Sequence, residues 1–465
     1  MNGSTEINAE YRPSLPLGLS WLNEIKRDPL AAASELHRRY GDVATLNILF
    51  RRICYFFTPE AARQILVDHH ADFVREARLL RIFASFQGDN ALTTEGTDWE
   101  RQRRILAPGF TPKRVAGYTQ LMHAAIQDCV ADVLPTSPGS SAVVDADGLT
   151  TRITMDVILR TLFSSPMTKQ DAAQLSIAIR ALTRQSMREV YWPFVAPDWL
   201  PYPGRTSKLT HRRTIQALIE THINARTASN AVPREEQDVL DMLLSAKDEA
   251  SGNHQNALSA REIRDNCVLL FAAGFDTASS ALCWWMGLIA TRPDVVDALR
   301  AELADTDFAA SGIEQIVRAP YLNATIKEAM RLYPPSAALF TRVAQRDCVI
   351  ADTTVTKGTL VVIPIWQLHR DARSFPAPLE FRPERFMPNA DPIPRSAYMP
   401  FGAGPHFCLG QHFALIEMAL VAAYLIKHID FALPPGAKLP DPTVDVALKP
   451  KTPLLVQVTR RETPS

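Results

Sequence analysis

One stretch of the chain decides its fold: Phe401-Gly402-Ala403-Gly404-Pro405-His406-Phe407-Cys408-Leu409-Gly410. It places the thiol of Cys408 between glycines, directly before a helical pattern over residues 409–425. The thiolate is the form of cysteine that binds a metal, and the free N–H groups at the start of a helix stabilise it. An isolated cysteine after a glycine-rich turn is usually buried and inert. The other motifs of the chain therefore decide whether Cys408 is a ligand.

The composition is that of an ordinary globular protein without electrostatic bias. The chain has 465 residues, of which 46% are hydrophobic and 22% charged, and its 50 basic and 50 acidic side chains cancel. This balance does not favour nucleic acid as a partner. The six cysteines, at positions 54, 129, 267, 283, 348 and 408, include no C-x-x-C pair. Zinc and redox-dithiol sites are therefore poor interpretations, and a reducing cytoplasm is favoured.

The N-terminal sequence shows neither a secretory signal nor a membrane anchor. It lacks a charged segment followed by an apolar one, and no run of about 18 apolar residues occurs there. We expect residues 1–20 to form an extended segment and the protein to be soluble and cytoplasmic.

Hydrophobic patterns divide the chain into short elements. Runs at 43–50 and 53–57 predict a hairpin, and helical patterns follow at 59–72 and 97–106. A segment rich in Pro, Gly, Ser and Asp, residues 136–147, is interpreted as a connector.

The positions of prolines, together with the absence of repeats, indicate how the chain is organised into helices, loops and domains. Prolines interrupt residues 190–205, which predicts an aromatic loop between two helices. After residue 334 prolines are frequent and short strands dominate. No repeat or linker divides the sequence, so we predict one domain over 1–465, mainly α-helical with small β-sheets.

The longest predicted helix covers residues 259–291. Ser259 and Glu262 form an S-x-x-E capping box at its start, and Pro293 follows its end. The helix is apolar on every face, which predicts burial in the middle of the domain. Asp276 and a charged first turn argue against a membrane span.

The same helix contains Ala273-Gly274-Phe275-Asp276-Thr277. Glycine weakens a helix, and a buried carboxylate needs partners, so this cluster breaks local rules in the way that functional sites do. The structural alternative is a kink in which Thr277 bonds to its own helix backbone.

Pairs of residues at helical spacing form three further motifs. Glu328 and Arg331 are three apart and share a face, and Arg385 follows in Phe381-Arg382-Pro383-Glu384-Arg385-Phe386. Trp99 and Arg103 are four apart on another helix. Alone, the Glu328–Arg331 pair is weak evidence, because it could be a surface ion pair. A solvated basic helix with one core Trp is the commoner meaning of a run like that around Trp99 and Arg103.

Together these motifs resemble those of the cytochrome P450 family. They occur in the family's order, W-x-x-x-R, A-G-x-D-T, E-x-x-R, P-E-R-F and F-G-x-G-x-H-x-C-x-G, between Gly96 and Gly410. The resemblance implies the P450 fold, with the long central helix crossing a haem b whose iron takes Cys408 as axial ligand. One position departs from the pattern, because family members usually carry Arg where this chain has His406.

The resemblance also assigns roles to the residues of each motif. The residues expected to bind the haem are Cys408, Trp99, Arg103, Arg342, His406, Phe401, Ala273, Gly274, Gly402 and Gly410. Asp276 and Thr277 would relay protons in the oxygen-binding groove. Glu328, Arg331 and Arg385 would brace the segment before the cysteine loop.

The implied activity is that of a monooxygenase using dioxygen and two electrons from a ferredoxin or flavodoxin. The short segment after Cys408 is expected to hold no flavin or iron–sulfur domain. The basic residues Arg101, Arg104, Lys113 and Arg114 would dock the acidic donor. An apolar or amphipathic small molecule is the expected substrate. Its pocket would be lined by Phe83, Phe86, Tyr191, Trp192, Leu270, Ala338, Leu339, Phe340 and Leu454.

Two alternatives remain at this point. One is a haem-thiolate isomerase or dehydratase, and the other is a haem-binding sensor or carrier without turnover. A carrier needs neither Asp276 nor Thr277, so their presence favours the enzyme. The same pair argues against the peroxygenase branch of the family, in which other residues replace it.

Overall fold

The computed structural model describes residues 18–461 except 134–136, 138, 165–167, 193, 229–237, 247–256 and 309. The chain divides into two compact units. The first unit comprises Met1–Leu79, Arg331–Glu380 and Asp391–Cys408. The second comprises Leu80–Met330, Phe381–Ala390 and Leu409–Ser465. A single domain over residues 1–465 stays a prediction.

Helices dominate the described residues, which confirms the mainly α-helical class. The α-helices are α1 Leu19–Arg27, α2 Pro29–Tyr40, α3 Pro59–Arg63, α4 Ala77–Gln87, α5 Gly96–Leu106, α6 Pro112–Ala116, α7 Thr119–Ala131, α8 Ala146–Phe163, α9 Lys169–Val190, α10 Arg205–Thr227, α11 Val239–Ser245, α12 Ala260–Ile289, α13 Pro293–Glu302, α14 Ala310–Arg318, α15 Pro320–Leu332, α16 Ile365–Leu368 and α17 Gln411–His428.

The strands are short and form small sheets. They are β1 Val43–Ile48, β2 Arg51–Phe56, β3 Phe73–Arg75, β4 Ser141–Asp145, β5 Arg342–Ala344, β6 Cys348–Ile350, β7 Thr353–Val355, β8 Leu360–Val362, β9 Ile429–Ala432, β10 Pro442–Val444, β11 Leu448–Pro450 and β12 Leu455–Arg460.

The first unit is built on a five-stranded sheet of order β1-β2-β8-β5-β3. Strands β1 and β2 form the predicted hairpin, with Val43 opposite Phe56 and Ile48 opposite Arg51. Strand β8 then runs parallel to β2, while β5 is antiparallel to both of its neighbours. Apolar side chains from α3 and this sheet, including Phe56, form a buried core.

The second unit is organised around α12. Its N-cap is Ser259, whose side chain accepts from the Glu262 backbone N–H, and the reciprocal contact completes the predicted capping box. The helix ends at Ile289, two residues before the predicted end, because Ala290 is its C-cap and α13 begins at Pro293. Helix α8 packs along α12, and Thr154 Oγ1 donates to the carbonyl oxygen of Phe275 at 3.1 Å.

Helix α12 is buried inside its unit. By length and composition it could cross a membrane, since its most apolar window has a mean hydropathy of 1.5. In the structure, however, 72% of that window is buried. Burial on most faces agrees with the prediction of a central core helix.

Two smaller predictions need correction. Most of the expected connector at 136–147 is ordered structure, because Ser141–Asp145 forms β4 against β12 and α8 begins at Ala146. The alternating Ala142-Val143-Val144 side chains favour a strand there. Residues 1–17 of the expected N-terminal segment lie outside the described residues, and the chain is already helical from Leu19.

The predicted helix over 59–72 is divided into three pieces. The α-helix ends at Arg63, a π-helical turn covers Gln64–Asp68 and a 3₁₀ turn covers His70–Asp72. The aromatic loop lies where it was predicted, between Val190 at the end of α9 and Arg205 at the start of α10.

Candidate active site

The cysteine loop of the first unit is shaped by two glycines. Gly402 and Gly404 have φ angles of 75° and 71°, values that side chains disfavour. A Cβ on Gly404 would lie 1.9 Å from the carbonyl oxygen of Leu66. The Cys408 N–H donates to the Phe401 carbonyl oxygen at 2.9 Å, which closes the loop. The sequence thus needs glycine at position 404 for both conformation and space.

Cys408 differs from the other five cysteines in its exposure. It is the exposed cysteine, whereas Cys54, Cys129, Cys267 and Cys283 are buried and the sixth is half-buried. Burial raises the pKa of Cys129 to about 12 and raises the pKa values of Cys267 and Cys283 as well. Those thiols are poor metal ligands because the thiolate is the form that binds. Cys408 is therefore the thiol best placed to bind a metal.

The residues around Cys408 are less buried than the core. Phe401 and His406 are half-buried, as is Gly410. Gly410 is the N-cap of α17, and a Cβ there would meet no described atom within 4 Å. A side chain at position 410 would therefore meet no described neighbour, and the expected role of Gly410 at the haem stays a prediction.

One face of α12 is open in an otherwise buried helix. Ala273 and Thr277 are exposed, and Leu270 is half-buried. These residues are spaced by three and four, so they share one face. The Thr277 hydroxyl donates to the Ala273 carbonyl oxygen at 2.8 Å, which is the back-bonded alternative that the sequence left open. The oxygen of that hydroxyl can still accept a proton or a hydrogen bond.

Gly274 does not share that face. A Cβ on Gly274 would lie 3.0 Å from Cδ1 of Ile158 in α8. Its missing side chain lets α8 approach α12 closely. The structure therefore gives Gly274 a helix-packing role, and its expected role at the haem stays a prediction.

Asp276 points away from Thr277, toward the β10–β11 hairpin. Its Oδ1 lies 3.2 Å from Nζ of Lys449. Lys449 also donates to Asp147 at 2.8 Å and to Ser279 at 3.0 Å. Sequence reasoning missed Lys449 and Asp147, because residues about 170 and 130 positions from Asp276 carry no shared spacing signal.

Trp99 and Arg103 are neighbours on α5, as their spacing predicts. The guanidinium carbon of Arg103 lies 5.7 Å from the centroid of the Trp99 ring, and both residues are half-buried. Arg101 is different from the prediction, because its guanidinium pairs with Glu262 at the start of α12. Arg101 is thus a structural residue of this unit and no longer a candidate for docking a donor.

Arg342 lies in the central region of the first unit's sheet. It is only 7% exposed, and it occupies β5 between β3 and β8. Its Nη1 donates to the carbonyl oxygen of Phe340 at 3.0 Å. Of the adjacent pocket candidates, Ala338 is exposed, whereas Leu339 and Phe340 are half-buried.

The predicted brace is buried. Arg385 Nε donates to Glu328 Oε1 at 3.3 Å, and the Arg382 backbone N–H donates to the same oxygen at 2.9 Å. Glu328 is 0% exposed. The structure therefore brings Glu328 and Arg385 together as a buried ion pair.

Arg331 is equally buried, at 0% exposure. It donates to the carbonyl oxygens of His369 and Pro378 at 2.8 and 2.7 Å, and to that of Glu380 at 3.1 Å. Its guanidinium carbon lies 5.2 Å from the centroid of the Phe375 ring. Arg331 thus fixes the backbone of the segment 369–380.

The aromatic pocket candidates of the second unit fall into two pairs. Phe83 and Phe86 on α4 are buried, with ring centroids 6.1 Å apart. Tyr191 and Trp192 are half-buried at the start of the aromatic loop, and burial raises the pKa of Tyr191.

Leu454 is a correction to the expected pocket. It is 1% exposed, and a Cβ on Gly287 would lie 2.7 Å from its Cδ2. Gly287 lies ten residues beyond Thr277 on α12, or about 15 Å along the helix axis. Leu454 is therefore a core residue near the end of the helix.

The side chains present fit a haem-thiolate site better than a metal cluster. Among the described residues, no group of three or more His, Cys, Asp and Glu side chains could hold a metal ion. In the first unit the chain offers one exposed thiol, Cys408, on a loop that has room only for glycine at position 404. In the second unit, described by itself, one face of α12 is open at Ala273 and Thr277. One thiolate is the protein ligand of the iron in haem-thiolate proteins.

Comparison with known proteins agrees with this site. The family model for cytochrome P450 matches residues 11–458. Cyclooctatin synthase of Streptomyces melanosporofaciens is 28% identical over 427 residues, covering 91% of this chain and 90% of its own. Cyclooctat-9-en-7-ol 5-monooxygenase of the same organism is 28% identical over 433 residues, with 92% and 90% covered. Cytokinin hydroxylase of Arabidopsis thaliana is 29% identical over 407 residues, with 86% and 77% covered.

The chain belongs to the cytochrome P450 family, which confirms the resemblance drawn from its motifs. It has the family's fold, mainly helical with small sheets, and it is a haem-dependent oxidoreductase of the monooxygenase class.

Proposed function

We propose that this protein is a haem b monooxygenase that hydroxylates an apolar or amphipathic small molecule. The observation that carries the proposal is Cys408, an exposed thiol on a loop closed by the Phe401 carbonyl and shaped by glycines. When bound, the haem supplies oxygen activation, which a thiolate ligand favours. The protein contributes binding, orientation and protons.

Five residues would hold the haem. Cys408 binds the iron as thiolate. Arg103 and Arg342 carry the positive charge that attracts the propionates, and Trp99 and His406 donate N–H groups. Because Arg342 is buried, its charge is less screened than that of a surface arginine.

Thr277 would deliver protons on the open face of α12, and Asp276, which points toward Lys449, would supply them. Thr277 holds its hydroxyl in place by donating to Ala273, which leaves the hydroxyl oxygen directed outward on the exposed face. Asp276 is an acid that can take a proton from solvent and return to the carboxylate. The adjacent positions of these residues support the monooxygenase over a haem carrier.

Substrate contacts are proposed for the aromatic side chains Phe83, Phe86, Tyr191 and Trp192, with Leu270 on α12. Large apolar surfaces with few polar groups favour an apolar or amphipathic molecule. Two relatives are named for the small organic molecule that they oxidise: one is a cytokinin hydroxylase and the other a cyclooctat-9-en-7-ol 5-monooxygenase. Oxidation of a C–H bond in such a molecule is the reaction that these observations favour.

Electrons would come from a separate ferredoxin or flavodoxin. Of the four basic residues expected to dock the donor, Arg104 and Lys113 are exposed, and rim charges of this kind raise the association rate. The burial of α12 supports a soluble, cytoplasmic protein.

The test combines a spectrum with a substrate screen. The reduced protein with carbon monoxide should show the absorption band of a haem-thiolate, and candidate molecules should shift its spin state on binding. Molecules that bind should be oxidised only when a reductant and oxygen are present. Product formed without reductant and oxygen would instead identify an isomerase or dehydratase. Binding without turnover by any donor would identify a carrier.

A further inference from the structure

Three elements of the second unit meet at one buried cation. Lys449 on β11 lies between Asp147 on α8 and Asp276 on α12, with Nζ–Oδ1 distances of 2.8 and 3.2 Å. It also donates to Oγ of Ser279, one turn along α12, at 3.0 Å. The side chains of Lys449, Asp147 and Asp276 are 12%, 17% and 15% exposed. Solvent therefore screens these charges weakly.

The charges of this cluster stabilise one another. Burial opposes the charge of Lys449, but Asp276 and Asp147 outweigh burial and raise its pKa. Burial likewise disfavours the carboxylate of Asp147, yet Lys449 and Arg180 lower its pKa. At neutral pH the cluster is therefore ionic, with one ammonium shared by two carboxylates.

The two carboxylates depend on Lys449 unequally. Asp147 has a second cation, Arg180, whose Nη1 lies 3.0 Å from Oδ2. For Asp276, Lys449 is the one cation within 4 Å among the described side chains. Burial and the negative charge of Asp276 raise the pKa of nearby Asp445, which Arg184 opposes. If Lys449 were lost, Asp276 would keep its acidic neighbours Asp147 and Asp445 but lose the cation that lies within 4 Å of it.

The pairing also fixes where the acid points. Asp276 and Thr277 are consecutive on a helix, so their side chains leave it about 100° apart. Thr277 is on the exposed face, and Asp276 is directed toward Lys449. To serve Thr277, the carboxylate has to leave Lys449 or act through intervening water.

We propose that Lys449 is a positioning residue that holds the carboxylate of Asp276 in a fixed place, from which it accepts a proton from solvent. This inference rests on the proposed function of the Asp276–Thr277 pair. In each cycle of the relay, Asp276 takes up one proton, passes it toward Thr277 and returns to the carboxylate paired with Lys449. Without Lys449, Asp276 loses the cation that lies within 4 Å of it and is no longer held in that place, so protons should reach Thr277 less efficiently.

The experiment compares Lys449→Met, Lys449→Arg and the control Lys451→Met in the haem-loaded protein. Lys451 is exposed on the same segment. For Lys449→Met, product formed per electron pair should fall about three-fold or more, with hydrogen peroxide making up the difference. Lys449→Arg should restore most of the yield, and Lys451→Met should not change it.

A second measurement does not depend on turnover. Thermal unfolding of Lys449→Met, Asp276→Asn and the double variant should show non-additive changes in Tm, because both substitutions remove one interaction. In the Asp276→Asn background, Lys449→Met should cause no further uncoupling. Additive Tm changes, or an equal loss of product per electron pair in both backgrounds, would overturn the inference. Absence of the thiolate band in the wild type would instead refute the proposed function and leave the unfolding cycle valid.

Discussion

The Cα of Gly404 lies so close to the Leu66 carbonyl oxygen that a Cβ would sit 1.9 Å from that oxygen. Gly404 also has a φ of 71°. Gly404→Ala should therefore lower the free energy of unfolding by more than the roughly 1–2 kcal/mol of a left-handed alanine, and it should weaken haem retention.

Gly436→Ala is the matched control for this prediction. Gly436 has a φ of 77°, but a Cβ there meets no described atom within 4 Å. Both alanines would thus have an unfavourable left-handed backbone conformation, but only the alanine at position 404 would also overlap with the Leu66 carbonyl oxygen. Equal losses of Tm in the two variants would show that the contact with Leu66 is unimportant.

The identity of the iron ligand is tested by Cys408→Ser. A serine oxygen cannot replace the thiolate, so the carbonyl band of the thiolate-ligated haem should disappear. Cys348→Ser, at a half-buried cysteine of the same unit, should retain it. A thiolate spectrum in the Cys408 variant would assign the ligand elsewhere.

Whether the sequence predicts a contact depends on how many positions along the chain separate the two residues. The capping box at Ser259 and Glu262 and the Trp99–Arg103 pair were predictable because helical geometry fixes contacts three or four residues apart. Gly274 had a recognisable local anomaly, but only the structure shows that α8 is what approaches it. The partner of Asp276 depends on a hairpin about 170 residues away, and no local spacing encodes such a contact.

The same limit explains Arg101 and Leu454. Both were assigned to functional surfaces from residue type and position alone. Arg101 pairs instead with Glu262, 161 residues away, and Leu454 packs against Gly287. The cysteine loop and the brace could be predicted because the motifs occur in the family's order, and this order implies the family's fold.

The brace should be costly to break. Glu328 is fully buried and accepts from Arg385 Nε and the Arg382 N–H. Glu328→Gln leaves the guanidinium without its counter-charge, so we expect a loss of about 3–5 kcal/mol in the free energy of unfolding. Glu384→Gln, next to Arg385 but exposed, should change it by less than about 0.5 kcal/mol. Denaturant unfolding of both variants measures the difference, and similar midpoints would contradict the brace.

The hydroxyl of Thr277 should determine how much product is formed per electron pair, relative to hydrogen peroxide. Thr277→Val keeps the shape of the side chain but removes the hydroxyl, so product per electron pair should fall on the order of tenfold or more, with a matching rise in hydrogen peroxide. Thr277→Ser should retain most of the product. Thr291→Val removes another hydroxyl that is bonded to a backbone carbonyl, and it should leave the yield unchanged. Full coupling in Thr277→Val would exclude this hydroxyl from proton delivery.

Glu417 on α17 should make stability depend on pH. It is 1% exposed, its Oε1 has no hydrogen-bond partner among the described residues, and burial raises its pKa well above the ordinary value. An acid whose pKa is higher in the folded state destabilises the fold as pH rises above the unfolded-state pKa, by up to about 1.4 kcal/mol per pH unit. Glu417→Gln removes this term, so its advantage over the wild type in Tm should grow from pH 5 to pH 8. The exposed Glu60→Gln should show no such trend, and a pH-independent difference for Glu417→Gln would mean that Glu417 is ionised in the folded protein.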